Sequence, residues 1–152
     1  MKIDFFHHSI GKEEKKSLIK TLGSRIISTG PVTKKFEETF AKYFKAKYCV
    51  GLSNWTSGGL ILFKAFGINP GDEIITTPMS FVATSNVILH AGAKPIFVDV
   101  DDKTGNIDVD LIQSKINKKT KAIFVVHLYG QMCDVISLKR IAKKNKLLLF
   151  ED

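Results

Sequence analysis

From Lys47 onward the apolar residues fall into short continuous runs, separated by stretches of mixed polarity and by breaks rich in Gly, Pro and Asp. The runs "KYCVGL" (47–52), "EIITT" (73–77), "KPIFVDV" (94–100), "KAIFVVHLYG" (121–130) and "KLLLFED" (146–152) read as strands. They are β-branched or leucine-rich rather than strictly alternating, which fits burial on both faces beneath helices. The stretches between them read as helices: 56–66 closed by Gly67, 80–92 ended by Gly92, 109–117 and 133–145. Pro70 and Gly71 take the central positions of a turn, Pro78 stops a strand, and "DDKTGNID" is a polar turn. Five strands alternating with helices over short connections predict an α/β layer built on a mostly parallel sheet, sandwiched by helices.

Two helices are predicted ahead of this alternation. The first runs over about Lys12 to Gly23, followed by a loop broken at Gly30-Pro31. The second covers 33–46, with Thr33 as its expected cap and Phe36, Phe40, Tyr43 and Phe44 on one apolar face. No internal repeat, low-complexity segment or domain linker interrupts the chain.

Composition narrows the classes. A length of 152 residues and 44% hydrophobic content suit one globular domain with a core. No apolar run reaches the roughly 18–20 residues of a membrane span. The start, "MKIDFFHHSIGKEEKK", lacks the apolar centre of a secretory signal, so a cytoplasmic location is expected. Cys49 and Cys133 are far apart with no metal-ligand spacing and read as reduced thiols. The net charge is +8, yet Arg25 and Arg140 are the only arginines and the lysines are scattered over solvated helix faces. That argues against nucleic acid as a partner, while leaving a surface that attracts a small anion.

In an open α/β sheet, ligands sit outside the carboxyl ends of the strands, which selects a few loops. "GLSNWTSGGL" joins a strand to a helix whose free N–H groups and positive dipole end suit a phosphate. It is neither a Walker loop nor GxGxxG, and local chemistry alone favours an ordinary Ser/Thr-capped loop. In "TTPMSFVAT", Ser80 is a candidate cap and Phe81 either stacks on a flat ligand ring or belongs to the core. His127 reads as a structural histidine. Asp152, at the tip of the last strand, is either the partner of a cationic ring nitrogen or a solvated carboxylate.

Together these loops have a precedent. "ISTGPVTKKFEETFAKYFKAKYCVGLSNWTSGGL", "GINPGDEIITTPMSFVATSNVILHAGAKPIFVDVD", "NIDVDLIQSKINKKTKAIFVVHLYGQMCDV" and the terminal "LLLFED" occur in order. The chain, from about Asp4 to Asp152, resembles the DegT/DnrJ/EryC1/StrS family of pyridoxal-phosphate-dependent nucleotide-sugar aminotransferases. The resemblance implies an incomplete aspartate aminotransferase-type (fold type I) large domain: residues 1–152 would be its N-terminal portion, without the C-terminal small domain. It implies that Trp55 and Thr56 cradle the cofactor phosphate through backbone N–H groups. A small residue is usual in the family where Trp55 stands. Phe81 matches the aromatic that stacks on the cofactor ring, and Asp152 the acid that pairs with the pyridine nitrogen.

The resemblance also implies a glutamine three residues after this aspartate and, further on, a lysine that forms the Schiff base. No lysine here matches that motif, so no catalytic residue is assigned within the chain and residues 1–152 alone are expected to be incompetent. In the complete enzyme, expected to be a homodimer, an amino acid would donate an amino group to a nucleotide-linked keto sugar. The alternatives are half of a split enzyme, a non-enzymatic binding remnant, or part of a family sugar dehydratase.

Overall fold

The computed structural model describes residues 6–152, so Asp4, where the resemblance begins, lies outside the described residues. The chain divides into two compact units, Met1–Gly51 and Leu52–Asp152.

The first unit is helical. Helix α1 spans Lys12–Leu22, and the Gly11 N–H donates to Glu14 Oε2 at 2.7 Å, so a first-turn acid satisfies one unpaired donor. Helix α2 spans Pro31–Tyr43 and starts two residues earlier than the pattern predicts. Gly30 occupies the cap position and Pro31 the first helical position, where its missing N–H costs nothing. Thr33 is therefore not the cap; its hydroxyl donates to the Ser28 carbonyl at 2.9 Å. The aromatic row on α2 is present, with Phe40 and Phe44 rings 4.6 Å apart, but it is exposed. No described residue of this unit is buried.

The predicted strand 47–52 is not formed. Tyr48 and Val50 are exposed, and the segment joins no ladder among the described residues. β-propensity alone does not hold a strand whose N–H and C=O groups find no partner.

The second unit alternates as predicted: α3 Trp55–Ala65, β1 Glu73–Thr76, α4 Ala83–His90, β2 Lys94–Phe97, α5 Val109–Lys115, β3 Thr120–Val125, α6 Val135–Asn145 and β4 Leu148–Glu151. The four strands are parallel, in the order β2-β1-β3-β4. Strand pleating explains the two cores. Ile74, Ala122, Phe124 and Phe150 face the α3 and α4 side with Phe63, Val87 and Ile88. Ile75, Ile123 and Val125 face the other side with Ile112, Leu138 and Ala142 from α5 and α6. The central strands β1 and β3 read as unbroken apolar runs because both faces are covered. β4 is an edge strand among the described residues, and of its apolar residues only Phe150 is fully buried.

Two glycines answer local backbone demands. Gly71, at φ 92°, completes the turn closed by Asp72 N–H to the Asn69 carbonyl at 3.1 Å. Gly59 lets α3 approach α4: a Cβ there would stand 3.3 Å from Val87 Cγ2.

Candidate functional site

The chain runs from β1 outward to β2, then crosses to β3 on the other side of β1. That reversal opens a crevice at the carboxyl ends of β1 and β3. Four features border it or its continuation along β4.

The first is the start of α3. Asn54 caps the helix, its Oδ1 accepting the Ser57 N–H at 2.9 Å. Trp55 and Thr56 are the first two helical residues, and their N–H groups have no acceptor among the described residues. Free donors at the positive end of a helix dipole are suited to an anion. The hydroxyl of Thr76, at the end of β1, is fully buried and also lacks a hydrogen-bond partner.

The second is the loop after β1. Phe81 lies two residues before α4 and is 79% exposed, so it is not the core residue that its type usually signals. Ser80 does not cap α4, which begins at Ala83 after an αR residue, Val82; the Ser80 hydroxyl donates to the Phe81 carbonyl at 3.2 Å. Thr77 is the residue that organises this loop, accepting the Met79 N–H at 3.2 Å.

The third is Asp152. Its backbone extends the β3–β4 ladder: its N–H donates to Val125 and its carbonyl accepts from His127 at 2.9 and 2.8 Å. The carboxyl group is held above the ordinary carboxylate range because desolvation penalises its charge.

The fourth is a brace absent from the sequence reading. Buried Asn106 donates through Nδ2 to the Gln131 carbonyl at 3.0 Å and accepts the Leu128 N–H at 3.1 Å. It pins a loop in which Tyr129 and Gly130 adopt left-handed φ values of 54° and 83°. His127 completes the brace. Its Nδ1 accepts the Cys133 N–H at 3.1 Å, which places the proton of the neutral ring on Nε2, 3.2 Å from Glu151 Oε2. Both ring nitrogens are engaged, consistent with a structural histidine. The sequence pattern placed Gly130 at the end of the strand run 121–130, and nothing marked Asn106 as the anchor of a loop there.

The two thiols are unpaired, Cys133 buried and Cys49 half-buried, and desolvation pushes the Cys133 thiol up. Among the described residues no His/Cys/Asp/Glu cluster has metal-binding geometry. A hollow of about 290 Å³ beside α5 and α6 is lined by Asp101, Asp108 and Asp134, but these carboxylates already accept backbone N–H groups.

The sequence model of the DegT/DnrJ/EryC1/StrS aminotransferase family matches residues 8–152. The chain belongs to this family. A family relative, the spore coat polysaccharide biosynthesis protein SpsC of Bacillus subtilis, is 41% identical over 143 residues, which is 94% of this chain and 37% of SpsC. The chain thus spans a little over a third of that relative's length. The family fold is equally clear. The Helicobacter pylori PseC aminotransferase of pseudoaminic acid biosynthesis superposes with a TM-score of 0.89 at 34% identity, covering 94% of this chain and 39% of PseC. NtdA of Bacillus subtilis, solved with bound cofactor PMP, gives 0.88 at 36% identity, covering 93% of this chain and 34% of NtdA. The parallel sheet flanked by helices is therefore part of a fold type I aminotransferase architecture.

The residues present fit such a cofactor. The free N–H pair at α3 suits a phosphate, the exposed Phe81 ring offers a flat apolar face, and Asp152 is an acid at the tip of β4 with a raised pKa.

Proposed function

We propose that Leu52–Asp152 carries one part of a pyridoxal 5'-phosphate site, and that the complete protein transfers an amino group from an amino acid to a nucleotide-linked keto sugar. The observation that carries this reading is the unpaired Trp55 and Thr56 N–H pair, on a helix packed against the sheet whose strand β4 leads directly into Asp152. Bound pyridoxal phosphate supplies an electron sink conjugated to the reacting carbon. The chain's own residues do the rest that is assigned here. Trp55 and Thr56 hold the phosphate by backbone N–H groups and the α3 dipole. Phe81 covers one face of the ring and excludes water from it. Asp152, ionised, keeps a proton on the ring nitrogen.

The raised pKa of Asp152 accords with this role, because a cation seated opposite the carboxyl would draw it back into its charged form. As the resemblance implies, the proposal includes a homodimer and action in the cytoplasm. Among the described residues no helix is long and apolar enough to cross a membrane. No lysine is assigned a role, and residues 1–152 alone are proposed not to transaminate.

The test is binding of pyridoxamine 5'-phosphate. Saturable binding is expected, weakened about two- to tenfold in Phe81→Ala by loss of a stacking contact worth about 0.5–1.5 kcal/mol, and weakened again in Asp152→Asn. Equal binding by both variants would overturn the site. Incompetence is checked with pyridoxal phosphate, borohydride and mass spectrometry. A stoichiometric pyridoxyl-lysine, with amino transfer to a keto sugar, would overturn that part.

A further inference from the structure

The loop that follows β3 is closed on itself by one side chain. His127 Nδ1 accepts the Cys133 N–H at 3.1 Å. A backbone amide can only donate, so this contact requires a bare lone pair on Nδ1. The neutral Nε2–H tautomer supplies one and also donates to Glu151 Oε2 at 3.2 Å. The imidazolium cannot keep both contacts. Both of its nitrogens carry protons, so two N–H groups would face each other at Cys133. Its charge is matched instead by Glu151, on the neighbouring strand β4. The His127 side chain is 14% exposed, covered but within reach of solvent protons. Histidine is the ordinary side chain that changes charge near neutrality.

We propose that His127 is a proton-operated latch on residues 127–133: the neutral ring closes the loop, and the imidazolium keeps Glu151 alone and releases the Cys133 end. The other ties on the loop do not titrate in this range. Asn106, an uncharged amide, holds Leu128 and Gln131. The Cys133 thiol donates to the Val126 carbonyl at 3.2 Å, and burial keeps it in the protonated form that donates. The His127 and Gly130 N–H groups make backbone bonds, to the Asp152 and His127 carbonyls. Release is therefore local: the Met132–Cys133 end loosens while Asn106 keeps the middle of the loop in place. The charged groups facing the ring are Glu151 from β4 and Asp152 at its tip. Asp134, just after the loop, is occupied by the Ser137 N–H. The loop leaves β3 at the carboxyl end of the sheet, so the latch lies beside the crevice. The titrating pair, His127 and Glu151, is outside the residues assigned to the cofactor, and the latch is independent of that reading.

Imidazole ¹⁵N spectra and amide exchange of the chain test this over about pH 8 to 5. At the alkaline end His127 should show the Nε2–H tautomer. As it titrates, the Cys133 amide should shift with the same midpoint. Its protection relative to the intrinsic exchange rate should fall by about fivefold, the equivalent of one ordinary hydrogen bond. The Leu128 amide, held by Asn106, should keep its protection. In His127→Gln, whose amide accepts and donates throughout the range, the Cys133 transition should vanish. In Glu151→Gln it should persist and move to lower pH, because the imidazolium loses its facing carboxylate. An Nδ1–H tautomer at the alkaline end would overturn the proposal, as would a Cys133 amide that ignores the His127 titration. So would a transition that survives in His127→Gln, an unmoved midpoint in Glu151→Gln, or loss of Leu128 protection at the same midpoint. If His127→Gln does not fold, the unmodified chain and Glu151→Gln decide.

Discussion

Asn54 offers a way to separate the stability of the phosphate cradle from its charge. Its Oδ1 holds the Ser57 N–H at 2.9 Å and leaves the Trp55 and Thr56 N–H groups free. Asn54→Ala removes that cap, at a cost of about 1 kcal/mol, which is roughly fivefold in the equilibrium constant for forming the first turn. Phosphate affinity should fall by at most that factor, in proportion to the fraction of first turns that open. Asn54→Asp keeps an acceptor of equal capping strength and places a negative charge at the favourable end of the helix dipole. The helix should be as stable as before, or more so. A phosphate bound to the next two N–H groups would meet that carboxylate at roughly 6 Å, costing about 1 kcal/mol per phosphate charge at a dielectric between surface and bulk values. With nearly two charges, binding should weaken roughly thirtyfold.

The assay is calorimetric affinity for pyridoxamine 5'-phosphate beside pyridoxamine, with circular dichroism to follow the helix. The account requires the Asp variant to lose the phosphorylated ligand selectively while keeping its helicity. An Asn54→Asp chain that binds both ligands as the unmodified chain does, or loses both equally, would refute the placement of the phosphate at α3.

Two further outcomes test the packing and the acid. Gly59→Leu should destabilise the second unit by about 1–3 kcal/mol in urea unfolding, because even its Cβ would stand 3.3 Å from Val87 Cγ2 and the larger side chain forces α3 from α4; an unchanged midpoint would show that the two helices are not in close contact. Asp152 binds its proton more tightly folded than unfolded, so its stabilising contribution is present below the ordinary value of 3.8 and is lost as pH rises through the raised folded value. Asp152→Asn should therefore melt higher than the unmodified chain at neutral pH, with the advantage gone in acid; the reverse order would contradict the raised pKa.

Much of the second unit was legible in the sequence because its signals are local. Pro70-Gly71, Pro78 and Gly92 punctuate it, and the runs at 73–77, 94–100, 121–130 and 146–152 each contain a strand. The runs overshoot: β3 stops at Val125, because from His127 onward the chain is diverted by the Asn106 brace and by left-handed Tyr129. Such a brace joins residues more than twenty positions apart and leaves no periodic trace. The strand expected at 47–52 failed for a related reason, since pairing is a property of partners and not of the segment itself. Two caps were misplaced. Thr33 lost to Pro31 at the first turn of α2, and Ser80 was bypassed when α4 began at Ala83.

The site residues were located by resemblance more than by local chemistry. Residue type alone left Phe81 closer to a core residue and Asp152 evenly divided. The structure exposes the first and sets the second at a strand tip, where desolvation raises its pKa. What no pattern carried was the direction of the Trp55 side chain, whose ring lies flat on Phe124, nearly seventy residues away.

Placement of the cofactor phosphate at α3 is tested by an amide ¹H–¹⁵N titration of the chain with pyridoxamine 5'-phosphate. Saturable shifts are expected to concentrate at the Trp55 and Thr56 amides, at Phe81 and at Asp152. Shifts confined to other regions of the chain, or none at millimolar ligand, would contradict it.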